Sequence, residues 1–209
     1  MSAIFMAASC GGLKRARNVL PGAADVKRFD GGCRPLSTIL RTSQVPYAAP
    51  MPPGPKVNLL HADGKYADVL ERAIYNGILS GVALDGEHFF YVNPLASSGG
   101  HHRQPFFNCA CCPTNMARFL PSLPGYVYAT NAAGVFVNLY AAGTATVPVK
   151  GAKVKLIQET RYPWDGLVTI RVQAEQPTAF DLAVRIPGWC ASHTLTVNGD
   201  KSGWTDRAG

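Results

Sequence analysis

The spacing of apolar positions changes near Gly125, and that change divides the chain. Before it, 65–81 carries apolar side chains at Tyr66, Val69, Leu70, Ile74 and Ile78, which fall on roughly one face of a helix. Asp63 is placed to cap the start of this helix and Gly81 to end it. A short apolar run, Phe89-Phe90-Tyr91-Val92, then precedes Asn93-Pro94 and predicts an extended piece, followed by a loop over 97–108. Pro113 suits the first turn of a second helix with Met116, Ala117, Phe119 and Leu120 on its apolar side, and Pro121 ends or kinks it. After Gly125 the alternation has period two. Candidate strands are 126–128, 135–140, 144–149, 153–157, 167–172, 180–186 and 194–197. Turn signals separate them at 131–134, Lys150-Gly151, Asp165-Gly166 and Asn198-Gly199, so this half predicts an antiparallel β-sandwich that looks unfinished.

Residues 1–56 show no sustained period and end in Ala49-Pro50-Met51-Pro52-Pro53-Gly54-Pro55, which is neither helix nor central strand. This segment is expected to be irregular and poorly ordered. It also holds most of the charge. Seven basic residues over 1–50 face only Asp25 and Asp30, which is +5 of the chain's +7. No nucleic-acid-binding motif accompanies them, so a solvated tail is expected and a nucleic-acid partner is not. No apolar run nears the roughly 18 residues of a membrane span. The first twelve residues are apolar but lack the basic start of a signal peptide. A cytoplasmic protein with no membrane partner is therefore the expectation; oligomeric state is not legible.

Three of the six cysteines, Cys109, Cys111 and Cys112, lie within four residues. A disulfide scaffold spreads its cysteines, whereas clustered thiols point to metal binding or catalysis. Pro113 sets Cys111 and Cys112 at a helix N-terminus, where exposed N–H groups and the helix dipole favour a thiolate. A thiolate is what a sulfur nucleophile or a zinc ligand requires. The alternatives are small buried side chains or disulfide partners. Upstream, His101-His102-Arg103 offers nitrogen donors, although histidines in a glycine-rich loop are commonly solvated. Glu71 falls on the charged face of the first helix and Glu87 in a turn, so both are expected in solvent and neither forms an acid/base pair.

Three blocks then resemble a known family. They are Leu70-Glu71-Arg72-Ala73-Ile74-Tyr75-Asn76-Gly77-Ile78-Leu79-Ser80-Gly81, then Phe90-Tyr91-Val92-Asn93-Pro94-Leu95, then Cys109-Ala110-Cys111-Cys112-Pro113. In this order they closely resemble glycoside hydrolase family 127, the non-reducing-end β-L-arabinofuranosidases, and Arg185-Ile186-Pro187-Gly188-Trp189 is similar to that family's first sandwich domain. The resemblance implies an α+β multidomain fragment. Residues 1–56 fall outside the match, 57–124 would be the last helices of an (α/α)6 catalytic barrel, and 125–209 an incomplete antiparallel β-sandwich. It implies a retaining glycosidase acting on L-arabinofuranoside-containing glycans. Cys111 would be the nucleophile, and Cys111 and Cys112 ligands of a zinc ion. The family's acid/base glutamate and its Glu-Thr-Cys zinc-ligand stretch are missing from the sequence, so the chain is expected to be inactive alone. The competing expectation is a non-catalytic zinc- or carbohydrate-binding module.

Overall fold

The computed structural model describes residues 2–6, 12–16, 63–92, 96–109, 111–201 and 204–206, with 2–6, 12–16 and 204–206 described as backbone only. Helix α1 (Gly64–Ala73) starts where the sequence puts it. Asp63 is extended, and its carboxylate accepts the backbone N–H of Lys65 at 3.0 Å. The helix does not continue to Gly81 at one pitch. It widens into a π-helical turn over Ile74–Ile78 and tightens into a 3-10 turn over Leu79–Gly81. Helix α2 (Cys111–Phe119) passes through a 3-10 turn, Leu120–Ser122, into the short helix α3 (Pro124–Val127). Pro121 and Pro124 withhold the N–H groups that one continuous helix would need. Tyr126 and Val127, predicted to be strand, therefore belong to α3, and β3 (Tyr128–Thr130) begins directly after it.

The remaining strands build two five-stranded sheets among the described residues. The first runs in the order β5 (Gly143–Val149), β6 (Ala152–Thr160), β7 (Val168–Ala174), β1 (Ser2–Met6), β9 (Leu195–Val197). The second runs β10 (Trp204–Asp206), β2 (Gly12–Ala16), β8 (Asp181–Ile186), β4 (Gly134–Val137), β3. The class is α+β, as the sequence predicts. Two expectations need correction. Residues 1–56 are not irregular throughout: β1 pairs with β7 and β9, and β2 pairs with β8 and β10. The backbone edges of β7 and β8 offer unpaired N–H and C=O groups, and these short apolar-containing stretches satisfy them; the rest of 17–56 lies outside the described residues. The pairing is also not wholly antiparallel, because β4 runs parallel to β8 with Gly134 opposite Asp181. At Gly134 a Cβ would sit 1.9 Å from the Asp181 carbonyl oxygen, so only glycine fits. Two predicted turns appear as expected, with Lys150 (φ 49°) and Gly151 (φ 81°), and Asn198 (φ 54°) and Gly199 (φ 83°), in the left-handed region that such hairpins require.

The two sheets share one apolar core. Val154, Leu156, Ile170 and Val172 from the first sheet meet Val135, Val137, Leu182, Val184 and Ile186 from the second. Alternation along β8 turns Arg185 away from this core. It is 0% exposed and lies against α1. Its guanidinium meets Asp68 at 2.5 Å and Glu71 at 2.6 Å, and its Nε donates to the Asn138 carbonyl at 2.5 Å. The Tyr162 hydroxyl donates to the other Glu71 oxygen, the Tyr140 hydroxyl donates to the Arg185 carbonyl, and the second Asp68 oxygen accepts the Gly188 N–H at 3.1 Å. Burial, and after it the charge of Glu71, push the Tyr162 phenol well above its usual range, so it remains a donor. On the other side of α1, Leu70 and Ile74 pack with Leu139, Phe119 and Leu123. The helical part is thus fastened to β8 by ions from α1, while hydrocarbon joins α1 to the other helices and to Leu139 just beyond β4.

Arg185→Leu leaves Asp68 and Glu71 facing each other without a cation. The loss is expected to be about 3–5 kcal/mol, read as a fall in the urea midpoint of the whole chain. An unchanged midpoint would show that the pair contributes nothing. Gly134→Val should cost about 1–3 kcal/mol through overpacking against Asp181, read as a fall in the same midpoint.

Candidate active site

The segment that carries the site is fixed at its upstream end by the tail of α1. Val82 and Phe89 bridge across a turn in which the Asp85 carboxylate accepts the N–H groups of Glu87 and His88 at 2.8 and 3.2 Å. Phe89 also bridges to Gln104, and the Phe90 N–H donates to the Gly81 carbonyl at 2.9 Å. Arg103 donates to the Ser80 and Gly81 carbonyls at 2.8 and 3.3 Å, and its guanidinium lies 4.4 Å from the centre of the Phe90 ring. These bonds use carbonyls at the end of the helical stretch, which lack helical partners. They hold Phe89, Phe90 and Tyr91 in place, with Phe107 packed against both Phe89 and Tyr91. Only isolated bridges form, both at Phe89, so the extended run expected over 89–92 is shorter than the apolar pattern suggests.

Tyr91 points its hydroxyl at the cysteines. It lies 3.6 Å from the Cys109 sulfur and 3.6 Å from the Cys111 sulfur, and the two sulfurs are 3.3 Å apart. Cys111 is the first residue of α2, as predicted; it is half-buried, while Cys109 is exposed. The Cys111 backbone N–H, then the Tyr91 hydroxyl, then the Cys111 thiol hold the Cys109 thiol below its ordinary pKa. The hydrogen bonds to Cys111 and Cys109 raise the Tyr91 phenol, which keeps it a donor toward sulfur. The side chain of Cys112 and the whole of Ala110 lie outside the described residues.

Other residues singled out in the sequence fall elsewhere. Glu71 is not a solvated carboxylate: it is 5% exposed and paired with Arg185. Helical periodicity could not show this, because the partner arrives 114 residues later on a strand; the available signal was an arginine set inside Ala183-Val184-Arg185-Ile186. Glu87 is exposed in its turn, as expected. His101 bonds to the Val92 carbonyl at 2.7 Å and stacks on Phe90, with ring centres 4.7 Å apart; His102 is exposed. Among the described residues no three His, Cys, Asp or Glu side chains converge as a metal shell. The convergent Cys109 and Cys111 sulfurs are nevertheless soft donors of the kind zinc takes, and they fit part of such a shell. The residue that the sequence reading missed is Tyr91, whose signal was its place in the Phe90-Tyr91-Val92-Asn93-Pro94 block.

The helix-entry thiols and the helix-plus-sheet architecture agree with the family that the sequence resembles. The family profile described as "Beta-L-arabinofuranosidase, GH127 catalytic domain" matches residues 55–125, and that described as "Beta-L-arabinofuranosidase, GH127 middle domain" matches residues 134–209. The chain belongs to glycoside hydrolase family 127. It is 37% identical over 157 residues to the non-reducing end β-L-arabinofuranosidase of Bifidobacterium longum, a match covering 67% of this chain and 23% of that protein. It therefore spans about a quarter of the length of that relative. Among solved structures it resembles a GH127 β-L-arabinofuranosidase from Geobacillus stearothermophilus T6, with TM-score 0.66, 41% identity, and 74% of this chain and 28% of the other covered. A structure described as a glycoside hydrolase matches over 100% of this chain and 39% of its own length, at 30% identity and TM-score 0.61.

Tyr91→Phe removes the hydroxyl that donates to the Cys109 sulfur and lies against the Cys111 sulfur. The Cys109 pKa should then rise, less thiolate should be present at neutral pH, and alkylation of Cys109 should slow by about two- to tenfold. Iodoacetamide labelling across pH, read by mass spectrometry, checks this; a profile that the substitution does not move would place the phenol outside the thiol pair.

Proposed function

We propose that the chain carries the nucleophile side of a β-L-arabinofuranosidase-type site, retaining in stereochemistry and acting on L-arabinofuranoside-containing glycans, with Cys111 as the nucleophile. The observation that carries this reading is the setting of Cys111, half-buried at the entry of α2 with a phenol and a second thiol against its sulfur. The helices read as the last of an (α/α)6 barrel and the two sheets as a β-sandwich. Exposed apolar side chains at Val69 on α1 and Leu120 in the 3-10 turn after α2 support the first part, since barrel helices turn such residues toward neighbouring helices.

Cys111 and Cys112 would hold zinc, and the bound ion would keep the Cys111 sulfur deprotonated. The sulfur attacks the anomeric carbon as the bond to the glycosidic oxygen breaks, leaving a glycosyl thioether on Cys111. A carboxylic acid must protonate the departing oxygen; water then attacks from the face it left, breaking the carbon–sulfur bond and returning the thiolate to Cys111, so configuration is retained. Glu71 does not suit the proton-donor role, because Arg185 and Tyr162 occupy its two oxygens. The chain by itself is accordingly read as inactive or nearly so. The same engagement of Glu71 favours a second reading, a non-catalytic zinc- or carbohydrate-binding module.

An aryl β-L-arabinofuranoside and a β-L-arabinofuranosyl electrophile test these together. The purified chain should turn over far below the roughly 1 s⁻¹ at which typical enzymes work, while the electrophile labels Cys111 and leaves Cys111→Ser unlabelled. Robust turnover that Cys111→Ser abolishes would refute inactivity. Stoichiometric zinc with no labelling would favour the module.

A further inference from the structure

The two sulfurs that meet at 3.3 Å stand closer than a nucleophile and a bystander need to be. A disulfide holds its sulfurs about 2.05 Å apart, so small side-chain rotations close the gap. Cys109 precedes α2 and Cys111 is its first residue. A bond between them therefore spans the helix entry, where the backbone N–H groups have no helical partner to lose. The Tyr91 hydroxyl reaches both sulfurs at 3.6 Å and keeps them on the same side. Cys109 is exposed, so a small oxidant can reach it; Cys190 is buried and its thiol faces the Ser192 carbonyl at 3.6 Å.

We propose that Cys109 and Cys111 form a reversible intramolecular disulfide, driven by a low-molecular-weight disulfide such as oxidised glutathione, which removes Cys111 from nucleophilic attack. The last clause rests on Cys111 being the nucleophile; the bond itself does not. In the first step the Cys109 thiolate attacks one glutathione sulfur. The glutathione S–S bond breaks, and one glutathione leaves as a thiolate that takes up the proton Cys109 released. Cys111 then attacks the Cys109 sulfur of the mixed disulfide. The Cys109–Cys111 bond forms and the second glutathione leaves in the same way. Two protein thiols are oxidised and one glutathione disulfide is reduced to two thiols, so excess reduced glutathione reverses the change.

The whole chain, incubated with oxidised glutathione, is alkylated, digested without reduction and fragmented in a mass spectrometer. The expected product is the peptide lacking two hydrogens, with the bond mapped to Cys109 and Cys111 and the alkyl group on Cys112. It should form at least about tenfold faster than Cys190 is modified, and Cys109→Ser should not form it. The mapping on the unsubstituted chain stands even if that variant misfolds. Glutathione left on Cys109 alone, or a bond mapped to Cys112, overturns the proposal. The L-arabinofuranosyl electrophile should fail to label the oxidised chain and label it again after dithiothreitol. If the disulfide forms but the reduced chain is also unlabelled, the nucleophile reading fails and the disulfide stands.

Discussion

The arrangement depends on one buried cation. Arg185 leaves solvent entirely, and a charge so placed is tolerated only if it is paired. Its partners come from two directions: Asp68 and Glu71 from α1, and the Asn138 carbonyl from just beyond β4. The planar guanidinium fork sets the direction of each contact, so it fixes how α1 sits on β8 as well as that it sits there. Such a pair adds little net stability compared with a hydrocarbon contact of the same volume, yet removing one member leaves the rest stranded. Its contribution here is geometric. The segments matched as catalytic and middle domains, 55–125 and 134–209, are locked in one register by it.

From that lock the geometry passes to the thiols through identifiable steps. The ion pairs hold α1, and the tail of α1 presents the Ser80 and Gly81 carbonyls. Arg103 and the Phe90 N–H take those carbonyls and set Tyr91 beside the sulfurs. Cys111 arrives independently on α2, whose Phe119 is packed against Leu70 and Ile74 of the same α1. Both halves of the thiol–phenol cluster are therefore referenced to one helix. A π-helical turn inside that helix is consistent with this use, because it redirects the last turn without ending it.

What the sequence made legible follows the range of the interactions. Local patterns came through: the Asp63 cap, the helix entry at Cys111, the hairpin residues Asn198 and Gly199, and the strand alternation of β6 through β8. Non-local partners did not. Alternation alone carried the strand reading into Tyr126 and Val127, which two prolines and the packing of α3 claim for a helical turn. A segment without periodicity still supplied β1 and β2, because a five-residue strand paired on both sides is held by backbone partners and is too short to leave much pattern. Glu71 was read from its own helix, and its environment was decided by a residue on β8.

A sulfur nucleophile of the kind proposed asks for more scaffolding than a carboxylate does. A carboxylate is ionised at neutral pH in water, whereas a thiol must be drawn into its reactive form by nearby donors. At Cys109 those donors are the Cys111 backbone N–H at the helix entry and the Tyr91 phenol, held by non-local contacts. The same donors gather two sulfurs within reach of each other. Donors that favour a thiolate also favour oxidation of that sulfur, and Cys109 is exposed to solvent. Reactivity and vulnerability at this helix entry come from one arrangement of Tyr91, Cys109 and Cys111.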